Sequence, residues 1–497
     1  MSLLHTFCVS VLIFVSVSVL YFLPSKKGLP TPPGPQGSLI SGVKNLLPKT
    51  LPWETYASWA EQYHESIISF RVYNRRIVVL NDITSVRDLL EKRANIYSDR
   101  PKSWMYHEIC DRKKSVFNIS STDPRHRQYR RLLHTGLGPL AVRDYWPLIQ
   151  SEAETLLEGF AKSPEKYETH IRRNAAAVIM KMAFGYTVTA DDPLIQDAEE
   201  ASKISGWAMA PGRWLVDYIP IIRFIPSWFP GAGWKKQGEE WRVRLDKLSG
   251  VPHAWVKQQM ASGGYTESFT SRHLQYPQPG IIDAERDDIV KWCAGGLYAG
   301  AADTTVSAII SFVLLMALHP EVQSRIQAEL DTTVGRDMVP HASDLEHFPY
   351  LTAVLKEVLR YAPVANLALP HKVIEEDEYR GYRIPKEATI MANIWQVMAI
   401  THDPSVYPKP FTFSPDRFLS PERSSRSTSP DVQPDPRSFS FGFGRRTCPG
   451  LHFAETSMML TLACILSRFD ISLPPDTAPP SIQFTMGITR FVTDHTS

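Results

Sequence analysis

The sequence predicts a mainly α-helical protein with small β-sheets and a single N-terminal transmembrane helix. Three observations carry that expectation. Leu3 to Leu23 form an apolar run with no formal charge except on His5. Asp283 to His319 keep helical character over a length that crosses a whole domain, roughly 55 Å. The strand patterns are short and punctuated by proline or glycine. The 497 residues are 43% hydrophobic and 21% charged, the balance of a chain with a large core. A net charge of +2 implies no nucleic-acid partner. The five cysteines, Cys8, Cys110, Cys293, Cys448 and Cys464, are far apart and lack C-x-x-C spacing. They argue against a disulfide framework or a zinc site, and for a reducing compartment.

As a helix, the first apolar run is about 30 Å long, one hydrocarbon core. The alternative is a cleaved signal peptide. Against it, no Lys or Arg precedes the run and no small-x-small site follows it. Lys26 and Lys27 come next and place the bulk of the chain on the cytoplasmic side. Pro30, Pro32, Pro33 and Pro35 make a stiff extended connector. The expected division is a membrane signal anchor at 1–24, a proline-rich hinge at 25–50 and a folded domain at 51–497.

Within the domain, Trp53 to Tyr63 has helical spacing. Ser66 to Phe70 and Arg76 to Leu80 read as a strand pair turning near Asn74. Asp82 to Lys92 reads as a helix capped by Asn81 or Asp82. Trp104 to Phe117 has no clear period and reads as a loop. Arg125 to Leu133 is a short basic helix, in its plainest reading a solvated charged face. Trp207 to Trp234 mixes aromatics and prolines with Arg213, Arg223, Lys235 and Lys236. It suits either a membrane interface or an apolar core beneath a long loop.

The long helix opens on Asp283, Glu285, Asp287 and Asp288, as the helix dipole favours, and Pro320 closes it. Its middle, Gly300 to Thr305, is polar where a core helix should be apolar. A threonine there can bond back to a carbonyl one turn earlier, and a buried aspartate needs a partner or a task. A kink packed on a neighbouring helix is the plain alternative. Tyr350 to Tyr361 carries Glu357 and Arg360 on one face, ordinarily a surface ion pair of little consequence. Ala368 to Val373, Tyr382 to Ile384 and Thr389 to Ala392 read as short strands. Ser420 to Arg437 reads as a polar loop, Leu451 to Leu466 as an apolar helix and Ile482 to Val492 as a hairpin turning at Gly487.

The stretch Phe441 to Gly450, F-G-F-G-R-R-T-C-P-G, sets Cys448 behind Gly442, Gly444, Arg445 and Arg446. A thiolate needs compensating charge and hydrogen-bond donors. Glycine lets the backbone take φ > 0 and approach a flat ligand closely. Taken alone, the stretch also fits a glycine-rich turn around a structural cysteine.

In this order the segments resemble the cytochrome P-450 family. Phe441, Gly444, Arg446, Cys448 and Gly450 fit its haem-binding signature at every defined position. Glu357 and Arg360 fit its E-x-x-R motif. Pro415 to Phe418 is similar to its P-E-R-F segment, with Asp416 for the usual glutamate. Gly300 to Thr305 resembles its oxygen-binding motif, with Ala301 where glycine is usual. Where the family has W-x-x-x-R, this chain has His126 and Arg130. The anchor and hinge resemble microsomal members. The segments Tyr97 to Pro101, Leu369 to Val373 and Gly300 to Ile309 are similar to fungal secondary-metabolism members.

The resemblance implies the cytochrome P-450 fold and a haem b held axially by the Cys448 thiolate. It implies that Arg130, His371 and Arg446 pair with the haem propionates, with His126 in place of the usual tryptophan. It implies that Thr304 hydrogen-bonds dioxygen or a nearby water and that Asp303 relays protons. Glu357, Arg360 and Arg417 resemble the family's structural triad. Electrons are expected from NADPH–cytochrome P-450 reductase, docking on the basic helix around Arg125, Arg127 and Arg131. The pocket is expected from Trp104 to Phe117, Trp207 to Trp214, Tyr298, Ala302, Asn366 to Leu369 and Met486 to Ile488. The implied enzyme is a monooxygenase of a lipophilic small molecule, a terpenoid, polyketide or alkaloid, on the cytosolic face of the endoplasmic reticulum membrane. The rival readings are a xenobiotic-detoxifying monooxygenase, a haem-thiolate isomerase or peroxygenase, and a non-catalytic haem sensor.

Overall fold

The computed structural model describes residues 28–189, 192–277, 279–336, 338–395, 400–419 and 433–475. The anchor at 1–24, the hairpin at Ile482 to Val492 and most of the polar loop after Ser420 lie outside the described residues. The proline-rich segment is laid against the first strand: Ser69 donates to the carbonyls of Pro32 at 2.6 Å and Pro33 at 2.7 Å.

Helices make up most of the described chain. The longer ones are α1 (Pro52–Tyr63), α2 (Pro124–Leu137), α3 (Trp146–Lys162), α4 (Tyr167–Phe184), α5 (Pro193–Met209), α6 (Gly233–Ser262), α7 (Arg286–Leu318), α8 (Pro320–Thr333), α9 (Pro349–Tyr361) and α10 (Leu451–Leu466). The strands are β1 (Ile67–Val72), β2 (Arg75–Leu80), β3 (His371–Lys372), β4 (Asp377–Tyr379), β5 (Tyr382–Ile384) and β6 (Thr389–Ala392). One sheet has the order β1-β2-β6-β3, with β2 and β6 parallel and the other pairs antiparallel. A second sheet is the hairpin β4-β5. Sequence reading missed β4. The Arg380–Gly381 turn beside it, with both residues at positive φ, was its available signal. Of the strand expected from Ala368 to Val373, His371–Lys372 is regular strand, while Ala368 N and Val373 N bond singly to Ala392 O and Ala388 O.

The helix α7 is the spine. A 3₁₀ turn, Asp283–Glu285, leads into it, and it ends at His319 before Pro320. Asp288 in its first turn holds Lys114 at 2.8 Å and Lys291 at 2.9 Å, and also pairs with Arg125. Among the described residues α7 is the one helix long and apolar enough to cross a membrane. It lies in the core, packed against α2, α4, α6, α9 and α10. Two apolar clusters divide it. Ile289, Val290 and Leu297 belong to the cluster with Tyr129, Leu133, Met180 and Leu460. Val306 to Met316 belong to the cluster with Leu351, Val358, Phe439 and Leu462. The polar stretch Gly300–Thr305 falls at the junction. The helix runs through this stretch without a break.

Met105–Ile109, expected as loop, forms a π-helical turn that packs on α6. Five residues are too few to show a period in sequence. Its close fit depends on Gly238, where a Cβ would stand 2.6 Å from Ile109 Cγ2.

The Glu357–Arg360 pair is not the surface bridge its spacing alone implied. Both side chains are fully buried. Arg360 Nε and one terminal nitrogen donate to the two Glu357 oxygens at 2.7 and 2.8 Å. Arg417 Nε reaches Glu357 Oε1 at 3.2 Å, and Ser414 N reaches the same oxygen at 2.8 Å. Arg360 also donates to the carbonyls of Thr401 and Pro410, both at 2.8 Å. Removing one member of such a cluster leaves a buried charge uncompensated, at about 3–5 kcal/mol. Glu357→Gln is therefore expected to lower the unfolding midpoint steeply. Thermal denaturation of the purified variant checks it, against Lys92→Gln at an exposed i, i+4 pair, which should stay within about 0.5 kcal/mol of the parent.

Candidate active site

The loop before α10 folds back so that Cys448 N donates to Phe441 O at 2.7 Å. Gly442 (φ 78°) and Gly444 (φ 52°) take the left-handed values that glycine permits. At Gly444 the reason is contact with protein: a Cβ would stand 2.3 Å from Leu90 O and 2.9 Å from Ala94 Cβ. Gly450 has an ordinary φ of −91° at the N-terminus of α10. A Cβ there would lie 3.9 Å from Cys448 Sγ, and its own N–H points at the sulfur. Phe441 is half-buried beside the turn.

The Cys448 side chain is reachable by solvent yet enclosed by protein on nearly every side. Both hold for a group at the floor of an interior cleft. Burial pushes its thiol up, while the Gly450 N–H and the Arg130 guanidinium act the other way. Thr304 is likewise exposed in the middle of the core helix, Ala299 is exposed, and Gly300 and Asp303 are half-buried. Their spacing makes one open stripe along α7. Tyr298, expected in the pocket, is instead buried in an apolar cluster, with Ala301 and Ala302 against it. The segment Phe117–Ile119 joins stripe and loop. The Phe117 ring lies beside Gly300, Phe117 O accepts from Arg100 Nε at 3.0 Å, and Ile119 O accepts from Arg446.

Thr304 Oγ1 donates back to Gly300 O at 2.8 Å, as its place in the helix allows. Asp303 Oδ2 accepts from Ser202 Oγ of α5 at 2.9 Å. The two neighbours thus point to different partners.

Around the cysteine loop the cations gather. Arg446 Nε donates to Ser98 O at 2.8 Å, and Arg130 donates to Thr447 O at 2.7 Å. Arg100 also donates to Leu369 O at 2.8 Å and Pro370 O at 2.7 Å. His371 Nδ1 donates to Tyr97 O at 2.7 Å. His126 is buried, and its Nε2 has no hydrogen-bond partner among the described residues. The carboxylate beside the cluster, Asp99, already holds Lys372 at 3.1 Å and Ser121 N at 2.8 Å. Burial and neighbouring guanidiniums push His126 down to about 4 and His371 to about 3. Burial first, then Arg446, takes Arg100 down to about 9, and burial takes Arg446 to about 10. A guanidinium stays charged at pH 7 even so. The shifts report burial first and neighbouring guanidiniums after it, with Asp99 acting the other way on Arg100, His126 and Arg446.

Sequence reasoning brought Cys448, Arg446, Arg130, His126 and His371 to one place, and the structure gathers them. It missed Arg100, although the Tyr97 to Pro101 segment containing it was singled out. The signal was a cation between Asp99 and Pro101, and its burial is visible only in three dimensions. Arg125, expected as part of a docking face, is turned inward to Asp288 and Glu285.

Comparison with known sequences identifies the class. The chain belongs to the cytochrome P450 family, whose pattern it matches over residues 32–494. It is similar to cytochrome P450 monooxygenase 208 of Postia placenta, with 38% identity over 447 residues, 89% of this chain and 84% of that one. It is 37% identical over 448 residues to cytochrome P450 monooxygenase claR of Ampulloclitocybe clavipes, 90% of this chain and 81% of that one. It is 35% identical over 448 residues to the tryptamine 4-monooxygenase of Psilocybe cyanescens, 90% of this chain and 87% of that one. The chain is accordingly a monooxygenase, and the family's cofactor is a haem b ligated by a cysteine thiolate. The residues present fit that group. An accessible sulfur with one N–H aimed at it suits an iron ligand. Under-compensated guanidiniums and an orphaned imidazole nitrogen suit two propionates.

Gly444→Ala should cost at least about 2 kcal/mol, since both its φ and its space are denied to a side chain. Gly450→Ala should leave protein stability within about 1 kcal/mol. Unfolding curves of the two haem-free variants measure the difference.

Proposed function

We propose that this chain is a haem-thiolate monooxygenase of a lipophilic small molecule, with Cys448 as the axial ligand and electrons drawn from NADPH through NADPH–cytochrome P-450 reductase. Its place would be fungal secondary metabolism, in line with its fungal relatives. The observation that carries the reading is a solvent-reachable sulfur enclosed in protein beside a buried, under-compensated cluster of cations.

When bound, the haem supplies the oxygen-activating chemistry; the chain supplies position, charge and protons. Arg100, Arg130, Arg446 and His126 bind the propionates. His371 spends Nδ1–H on Tyr97, so its Nε2 is the nitrogen left to take a proton beside an anion. The Gly450 N–H and Arg130 hold negative charge on the sulfur. Thr304 gives its hydroxyl proton to Gly300 O, so its oxygen is presented to the cleft as an acceptor. Asp303 holds and passes a proton. Ala299 and Gly300 keep the wall between them small.

Two surfaces support the partner readings. Leu39, Ile40, Ile221, Phe224 and Trp228 are all 65% exposed or more. The packing of Tyr218 with Val43 and Leu47 brings together the chain segments near which they lie in sequence. Such a patch suits the surface of a lipid bilayer. It replaces the single aromatic span of the sequence reading, because Trp214 and Tyr218 are buried. With Arg125 engaged, the exposed arginines among the described residues of α2 and the cysteine loop are Arg127, Arg131 and Arg445, and they are the docking residues for an acidic reductase surface.

The reduced carbonyl complex tests the ligand. The wild type should show the thiolate-shifted Soret band, and Cys448→Ser should lose it while retaining its helical circular dichroism. An unshifted band in folded wild type overturns the reading. Incorporation of labelled oxygen from dioxygen into a product, dependent on NADPH, separates enzyme from sensor. Reversing Arg127 and Arg445 to glutamate should weaken reductase binding roughly tenfold at low salt, with a smaller loss at high salt. Titrating reductase against the reduction rate measures it.

A further inference from the structure

The polar contact made by Asp303 is not explained by the helix it sits on. Ser202 lies on α5, and its hydroxyl crosses to α7 to donate to Asp303 Oδ2 at 2.9 Å. The buried face of α5 is Ala198, Ala201, Ile204 and Ala208; Ser202 stands off that face and is exposed. The hydroxyl therefore touches solvent on one side and the carboxylate on the other. Among the described residues no ion pair includes Asp303. A cationic partner would hold the carboxylate ionised and oppose its taking up a proton. A hydroxyl opposes that step less than a full positive charge does, and it can accept one proton while giving up another. The other charged or titratable groups around the pair are Glu199, one turn earlier on α5, the exposed Lys203 beside it, Asp192, and Tyr298 on α7. Glu199, Asp303 and Asp192 all raise the Tyr298 phenol, which burial already pushes up.

We propose that Ser202 is a positioning residue for the proton relay: it orients Asp303 from α5 and forms the solvent-side step by which that carboxylate is recharged. The proposal rests on Asp303 being the relay acid. A hydrated proton from solvent binds Ser202 Oγ as the hydroxyl's own proton passes to Asp303 Oδ2. The serine stays neutral, a water molecule is left behind, and the carboxyl is protonated. When Asp303 passes that proton inward, the same exchange restores it. Because the two residues sit on different helices, the relay is complete only while α5 lies against α7.

The test uses the holoenzyme with reductase and NADPH, in ordinary and heavy water, without added substrate. Ser202→Ala should slow NADPH oxidation roughly tenfold, the worth of one hydrogen bond to a charged group, and enlarge the solvent isotope effect. Ser202→Thr, which keeps the hydroxyl, should restore both. A readout apart from turnover is the carboxylate stretch of Asp303 in the infrared, located as the band that Asp303→Asn removes. It should shift in Ser202→Ala and return in Ser202→Thr. A wild-type isotope effect and an unmoved band in Ser202→Ala overturn the proposal while leaving Asp303 in its role. An Asp303→Asn variant with unchanged rate and isotope effect overturns the relay reading itself, and this proposal with it.

Discussion

The guanidinium groups of Arg100, Arg130 and Arg446 spend their donors on backbone carbonyls rather than on carboxylates. Ser98, Phe117, Ile119, Leu369, Pro370 and Thr447 supply those oxygens. A carbonyl satisfies a hydrogen bond but brings no net charge, so the cluster remains positive. Carbonyls accept in this way most freely outside regular ladders, since a helix or strand bond takes one of the two acceptor sites on each oxygen. All six residues lie in turns or connecting segments. The irregular segments around the cysteine loop thus supply the site with neutral oxygens, which hold the buried cations in place without neutralising them before a ligand arrives.

The cluster around Glu357 uses the same parts to the opposite end. Arg360 and Arg417 again bind loop carbonyls, those of Thr401, Pro408, Pro410 and Thr412. Here a carboxylate sits at the centre and bonds both arginines directly, so half of their charge is met within the cluster. A closed cluster of this kind fixes the segments it touches. It is linked to the cysteine side through α9, where Lys356 holds Asp435 at 3.0 Å, and Asp435 and Glu455 of α10 share Arg437, each at 2.6 Å. Direct bonding to a carboxylate, present at Arg360 and Arg417 and absent at Arg100, Arg130 and Arg446, distinguishes the arginines that hold the fold from those offered to a ligand.

That distinction also explains what the sequence could reveal. Cys448 and the glycines around it were legible because a turn with φ > 0 and a close backbone approach allow few residue types. Asp303 and Thr304 were legible because polar residues interrupt an apolar helix. The long helices were legible from period and length, and Asp82 was rightly among the expected caps, accepting from Ser85 N at 2.7 Å. Arg100 and Arg125 were not separable in sequence. Each is an arginine near an acidic residue, yet Arg100 is buried among carbonyls and Arg125 is paired with Asp288. Only the distant partner decides, and it lies far along the chain. Tyr298 failed for a related reason: one residue's shift around a helix, about 100°, turns a side chain from cleft to core.

The contact between Ser202 and Asp303 lies at the far end of that scale, because nothing local in either segment announces it. Its consequence follows from the helix it reaches. The helix α7 is unbroken through Gly300–Thr305, and the Thr304 hydroxyl is committed to Gly300 O one turn back, so that hydroxyl's own proton is held locally. The neighbouring carboxylate, Asp303, is then the group left to supply a proton. It is half-buried on α7, and the hydroxyl that bonds it from another helix is exposed. The thiol is fixed by loops braced to α9 and α10, while the proton path depends on how α5 meets α7. The two halves of the site thus rest on different contacts, and a change in the packing of α5 can alter proton delivery while the cysteine loop stays as it is.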